Sequence, residues 1–181
     1  MPVVPHTIEV DGAQRRLLVA APTGAPSTVL LSMHGSGSTP ERQILLSRMA
    51  ALADQGAVVA FPQGSTPLRY GSEWDLERDG ALLDASVDYL RATFGAATVP
   101  LGVTGMSGGA RMASTEVTAK LSRLAYGPQD DPGAVTLWVC DGAGHTWPGT
   151  RLTLRPRLIL GKVSYEVDAS AEIARALLPP S

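Results

Sequence analysis

Val99-Pro100-Leu101-Gly102-Val103-Thr104-Gly105-Met106-Ser107-Gly108-Gly109 decides the fold. Residues 99–104 form a short, mostly apolar run, which predicts a buried strand. Downstream of Gly108, Ala113, Val117 and Leu121 recur at helical spacing, which predicts a helix over residues 108–125 with one face on the core, closed by Gly127-Pro128. Gly-x-Ser-x-Gly lies between the two. A strand that turns at once into a helix strains the backbone at the central residue, and glycines on either side remove side chains that would meet the neighbouring strand and helix. Ser107 Oγ would then project above the sheet. The Gly108 amide, at a helix N-terminus, would face a developing oxyanion. The bare pattern also suits a Gly-rich turn with a surface serine; the strand and helix around it favour a nucleophile.

The rest of the chain repeats this alternation, the signature of a mostly parallel sheet flanked by helices. Residues 7–10 and 15–20, joined by Asp11-Gly12, predict an opening β-hairpin at one sheet edge. Residues 27–33 and 57–61 predict apolar strands. Between them, Thr39 as N-cap and Pro40 at the first helical position predict a helix whose Leu45, Met49, Leu52 and Ala53 share a face, stopping at Gly56. Leu83, Val87, Leu90 and Phe94 form one stripe of a second helix ending at Gly95. Residues 135–140 predict a further strand, and residues 169–178 a last helix. One domain over residues 1–181 accounts for all of this.

Hydrophobic residues make up 44% and charged residues 18% of the 181, with a formal net charge of −2, a globular profile with no basic stripe for nucleic acid. No run approaches the ~20 apolar residues of a membrane span. As given, the chain reads as cytoplasmic, without a signal peptide, or secreted if a leader has been trimmed. Cys140, the single cysteine, excludes an internal disulfide and reads as a small buried hydrophobe. Nothing calls for a cofactor or a metal. A nucleotide or phosphate site at residues 105–109 lacks both Gly-x-Gly-x-x-Gly and a Lys-Ser/Thr ending.

A serine hydroxyl needs a base, and histidine suits neutral pH. His6 lies in the hairpin, away from any strand end where a site would form, and reads as structural or exposed. His34 heads His34-Gly35-Ser36-Gly37 after a strand, at the sheet edge where ligands bind. That loop offers the Ser36 amide as a second oxyanion donor beside Gly108, with His34 orienting it or touching substrate. His145 follows the strand at 135–140 within Gly142-Ala143-Gly144-His145-Thr146-Trp147-Pro148-Gly149. It comes after the serine, in the chain order expected of the base. Trp74 and Trp147 are candidate walls of a substrate pocket.

With Leu31-x-x-His34-Gly35, Gly-x-Ser-x-Gly and Gly-x-Gly-His-Thr-Trp-Pro-Gly together, the chain resembles the polyhydroxybutyrate depolymerase and feruloyl esterase family of α/β-hydrolases. Leu160-Gly161-Lys162-Val163-Ser164 and Val167-Asp168-Ala169-Ser170-Ala171-Glu172-Ile173 resemble that family's closing segment. The likeness covers residues 6–113 and 134–178. It implies a minimal α/β-hydrolase-like domain acting on short acyl, hydroxyalkanoate or aromatic carboxylic esters, small or oligomeric, with Ser107 and His145 as nucleophile and base.

The pattern then breaks. Family members continue after Arg111-Met112-Ala113 with two more strand-helix units, the second carrying the acid of the triad, and this chain has neither. Asp130 and Asp131 follow a helix that descends from the catalytic edge, so they belong at the opposite end of the sheet. Asp141, four residues before His145, is the best remaining candidate acid, ahead of Glu73 and Asp75 beside Trp74; a solvated loop carboxylate is the alternative for each. Losing two central strands would also expose apolar surface and favour a homo-oligomer, or an esterase-derived binding protein without activity.

Overall fold

The computed structural model describes residues 1–113, 145–150, 163, 165 and 168–178. Its main sheet holds β1 (Val3–Val10), β2 (Ala13–Ala20), β3 (Thr28–Met33), β4 (Ala57–Pro62) and β7 (Leu101–Gly105), in the order β1-β2-β4-β3-β7. β1 and β2 form the expected hairpin. Asp11 and Gly12 at its tip both take positive φ, 51° and 76°, as a two-residue hairpin turn requires. β2 is antiparallel to β4, while β3 is parallel to both β4 and β7. The mixed, mostly parallel sheet flanked by helices is the fold class expected.

Every residue of β3 and β4 is buried because both faces of the sheet are covered. Val29, Leu31, Met33, Val58 and Ala60 join one core cluster, and Leu30, Ala57, Val59 and Phe61 the other. This is the strand period of two. α2 (Leu76–Phe94) packs on the first face through Leu82, Leu83, Val87 and Leu90, and ends at Gly95 with φ 67°. On the second face lie α1 (Pro40–Ser47), a following 3₁₀ segment (Met49–Gln55) and α3 (Ala169–Leu177).

Three sequence expectations need correction. The first helix does not run to Gly56. Thr39 caps it and Pro40 opens it, but Arg48 is left-handed (φ 58°) and its amide returns to Ile44 O. The 3₁₀ winding that follows, three residues per turn, re-phases the chain so that Met49 and Leu52 face inward. Leu45, expected on that face, is exposed instead. β1 starts at Val3 despite Pro5, since Pro5 stands on an outer strand whose described pairing is to β2 alone, where a missing N–H costs little. Finally, residues 62–75 contain an unforeseen small hairpin, β5 (Thr66–Leu68) and β6 (Gly71–Glu73).

The strand expected at 135–140, Cys140, and the helix beyond residue 113 lie outside the described residues. Among the described residues no helix is long and apolar enough to cross a membrane.

Candidate functional site

β7 ends at Gly105 and a helical segment opens at Gly108, with Ser107 between them at φ 54°. Left-handed backbone costs a non-glycine residue roughly 1–2 kcal/mol, so the surroundings must hold it, and they do. Met106 N–H donates to Met33 O (3.2 Å), Gly109 N–H to Met106 O (2.9 Å) and Arg111 N–H to Ser107 O (3.0 Å). The flanking glycines have no room for a side chain. A Cβ on Gly105 would stand 2.8 Å from Ala110 N, and one on Gly109 would stand 2.5 Å from Met33 O and overlap His34 O. This tight crossing of strand and helix leaves the Ser107 side chain exposed.

The His34 loop lies across this turn. A Cβ on Gly35 would stand 3.4 Å from Met106 O and 3.5 Å from Ser107 Cβ. One on Gly108 would overlap the Ser36 hydroxyl and stand 3.3 Å from the Ser36 amide nitrogen. The two expected oxyanion donors, Ser36 and Gly108, are therefore adjacent to each other and to Ser107.

His34 itself is fully buried. Nδ1 donates to Gly35 O (2.8 Å), and Nε2 accepts from Gly64 N–H (3.2 Å) and Ser72 Oγ (3.2 Å). This set needs the neutral Nδ1–H ring. Burial lowers its pKa below the ordinary value, against the opposing pull of the Gly35 carbonyl, so the ring is neutral at pH 7. Trp74, also buried, stacks at 4.7 Å from the His34 ring and donates from Nε1 to His34 O (2.7 Å). Both residues lie against the backbone of the Ser36 loop from beneath, His34 through Gly35 O and Trp74 through His34 O.

The second half of the site is a turn. Trp147-Pro148-Gly149-Thr150 closes with Thr150 N–H on Trp147 O (3.2 Å) and Gly149 at φ 80°, the requirements of a type II turn with Pro and Gly at its centre. Trp147 is buried in the second core cluster and donates from Nε1 to Ser170 Oγ (3.1 Å), which in turn donates to Ser47 O. Ala169 N–H reaches Pro148 O (3.2 Å), and Asp168 caps α3 through the amides of Ser170 and Ala171. Anchored two residues on, His145 is left exposed. Ser107 and His145 line one cavity of about 320 Å³, with Trp147 in its wall and Met106 and Ile173 as apolar lining.

The carboxylates at this sheet edge have other duties. Asp75 caps α2, accepting from Glu77 N–H (3.1 Å) and Arg78 N–H (3.2 Å). Glu73 Oε1 accepts from Ser36 Oγ (3.0 Å) and Trp74 N–H (2.9 Å). Among the described residues no carboxylate bonds His145. Asp141, Asp130 and Asp131 lie outside the described residues.

Sequence reasoning missed Asp79. Fully buried, it pairs with Arg15 and accepts from Ser65 N–H, Ser65 Oγ and Asp75 N–H. The clue was there: Asp79 falls on the apolar stripe of α2 with Leu82, Leu83 and Ser86, where a charge needs a partner. His6, as expected, is structural, its Nδ1 2.7 Å from the Tyr89 hydroxyl.

No protein-family model matches the sequence, and no curated protein matches it. Several solved structures share its fold. A protein named sOPH superposes with a TM-score of 0.54 at 16% identity, over 67% of this chain and 49% of its own. An α-β serine hydrolase homologue from Coxiella burnetii gives 0.52 at 15%, over 65% and 58%. A cold-adapted esterase from an Arctic intertidal metagenomic library gives 0.51 at 19%, over 65% and 55%. The chain thus spans about half the length of the proteins it resembles. At these identities the shared property is the fold.

Proposed function

We propose that the chain is a serine carboxylic ester hydrolase, with Ser107 as nucleophile and His145 as base. One observation carries this reading: a left-handed serine, walled by two glycines that admit no Cβ, opens onto a cavity that an exposed histidine also lines. A surface serine in an ordinary turn has no need of such strain. In the reaction Ser107 Oγ attacks the ester carbonyl as His145 takes its proton, and the amides of Ser36 and Gly108 receive the oxyanion. Collapse expels the alcohol, protonated by His145, and leaves an acyl-serine. Water, activated by the same histidine, then releases the acid. The sequence resemblance suggests short acyl, hydroxyalkanoate or aromatic esters, and the structural neighbours, a serine hydrolase homologue and an esterase, agree with the reaction class.

A p-nitrophenyl acyl-chain series on wild type and Ser107→Ala tests the reading, together with fluorophosphonate labelling of Ser107. Equal turnover in the mutant refutes it. A second reading, a catalytically silent binding protein built on the same fold, draws on a separate observation, the lack of a carboxylate on His145 among the described residues. Absence of both labelling and turnover in wild type would establish that reading.

A further inference from the structure

Glu73 is a carboxylate beside the nucleophile turn that the reaction above does not use. Its residue is half-buried, and Oε1 is fixed by two donors, the Ser36 hydroxyl and the Trp74 amide. Among the described residues Oε2 has no hydrogen bond and the carboxylate has no cationic partner. It also stands against the nucleophile turn, with Oε1 3.1 Å from where a Cβ on Gly108 would be. A single fixed negative charge beside two oxyanion donors opposes the charge that develops there with a neutral ester. Such a carboxylate becomes favourable once the ligand brings a positive charge that faces its open oxygen.

We propose that Glu73 is a specificity-determining residue, selecting esters that carry a cationic group, such as an alkylammonium, a few bonds from the scissile carbonyl. This rests on the serine hydrolase reading and names its substrate class. Oε1 orders the carboxylate through Ser36 and Trp74, and Oε2 faces the ammonium. The Ser36 hydroxyl, committed to Glu73, leaves only its backbone amide for the oxyanion.

The test is a charge preference measured within one enzyme. Two pairs are used: the p-nitrophenyl ester of γ-trimethylammoniobutyrate against its carbon isostere, with a tert-butyl group in place of the ammonium, and butyrylcholine against its carbon isostere. The first pair puts the charge on the acyl side and the second on the alcohol side. Wild type is expected to favour the cation in one pair by about tenfold in kcat/KM, between the roughly fivefold ceiling of an exposed ion pair and the larger effect of a desolvated one. Added salt should weaken the preference. Glu73→Gln keeps an oxygen to accept from Ser36 and Trp74 but loses the charge, so its preference should fall to about unity. Damage to the loop alone would lower both members of a pair and leave the ratio intact. Neutral esters turned over with no charge preference, or a preference unchanged in Glu73→Gln, would overturn the inference and leave the hydrolase reading standing. No turnover of any ester and no labelling of Ser107 would overturn both.

Discussion

Gly109→Ala and Gly80→Ala add the same methyl group with opposite expected results. At Gly109 the new Cβ would stand 2.5 Å from Met33 O and 2.8 Å from Met33 C, and overlap His34 O. Carbon contacts are comfortable at about 3.5 Å, so strand β3 and the helical segment opening at Gly108 must part by about 1 Å. Both obstacles are backbone, which no rotamer change relieves. Overpacking of this kind costs about 1–3 kcal/mol, or roughly 2–12 °C in Tm for a chain of this size. The movement is transmitted to Ser107, and a misplacement of about 1 Å lowers turnover by about a hundredfold. At Gly80, inside α2, an added Cβ meets nothing within 4 Å. Alanine there should stabilise by about 0.5–1 kcal/mol through helix propensity. Thermal melts and p-nitrophenyl ester turnover on the two variants decide the matter. A Gly109→Ala protein that melts with wild type and turns over within about threefold of it refutes the steric account of the turn.

Asp79→Ala should cost about 3–5 kcal/mol in urea unfolding, because it leaves the Arg15 charge and the amides of Ser65 and Asp75 without their acceptor; a loss below about 1 kcal/mol contradicts this. Asp75→Asn should keep both stability and turnover, since asparagine caps a helix as well as aspartate, whereas Asp75→Ala should lose about 1 kcal/mol. His34 fixes a pH dependence. Its folded pKa is lowered, so between that value and the ordinary 6.5 the unfolded chain binds a proton that the native ring refuses. The stability His34 contributes is therefore complete above about pH 6.5 and is lost as pH falls toward the folded value. NMR titration should find the His34 ring titrating below the ordinary value, with the neutral form protonated on Nδ1, and a ring titrating at the ordinary value would count against the burial argument. Turnover of Asp141→Asn, set beside the Asp130/Asp131 double Asn variant, tests the direction argument for the acid. A loss of about a hundredfold confined to the double variant, about 2.7 kcal/mol on the barrier, would overturn it.

What was legible in the sequence is what local chemistry decides. Asp11-Gly12 could only be a tight hairpin turn, Thr39-Pro40 a helix start, Gly95 a helix end, and the mostly apolar stretches of β3 and β4 buried strands. The turn at Ser107 was readable because its glycines record a steric demand. Arg48 carried no such mark: its left-handed backbone is held by the packing of Met49 and Leu52 on β4 and neighbouring strands, a tertiary demand that local signals do not report. The β5–β6 hairpin escaped for a related reason. Its strands are three residues each, Arg69-Tyr70 at the turn is no turn signature, and Ser38–Ser72 bridging holds it from outside. His34 was placed in the right loop, but its duty depends on Gly64 and Ser72, which approach it only in the folded chain.

The same distinction bears on the acid. Among the described residues, three carboxylates near the nucleophile's edge already accept from groups that would otherwise be orphaned: Asp75 from the first amides of α2, Glu73 from Ser36 and Trp74, Asp79 from Arg15 and Ser65. Turning any of them to His145 would leave a donor unpaired, at about 1–3 kcal/mol for each buried one. Orienting the imidazole is worth up to about 10⁴ in turnover in a serine protease, or about 5.5 kcal/mol, so at the upper cost such an exchange is favourable only if it frees a single donor. Glu73 comes nearest to meeting that condition, because Ser36 is exposed and its hydroxyl can turn to water. Yet Glu73 stands on the oxyanion side of Ser107, beside Gly108, and a carboxylate there works against the oxyanion. An acid that helps His145 without this penalty has to approach from the face away from Ser36.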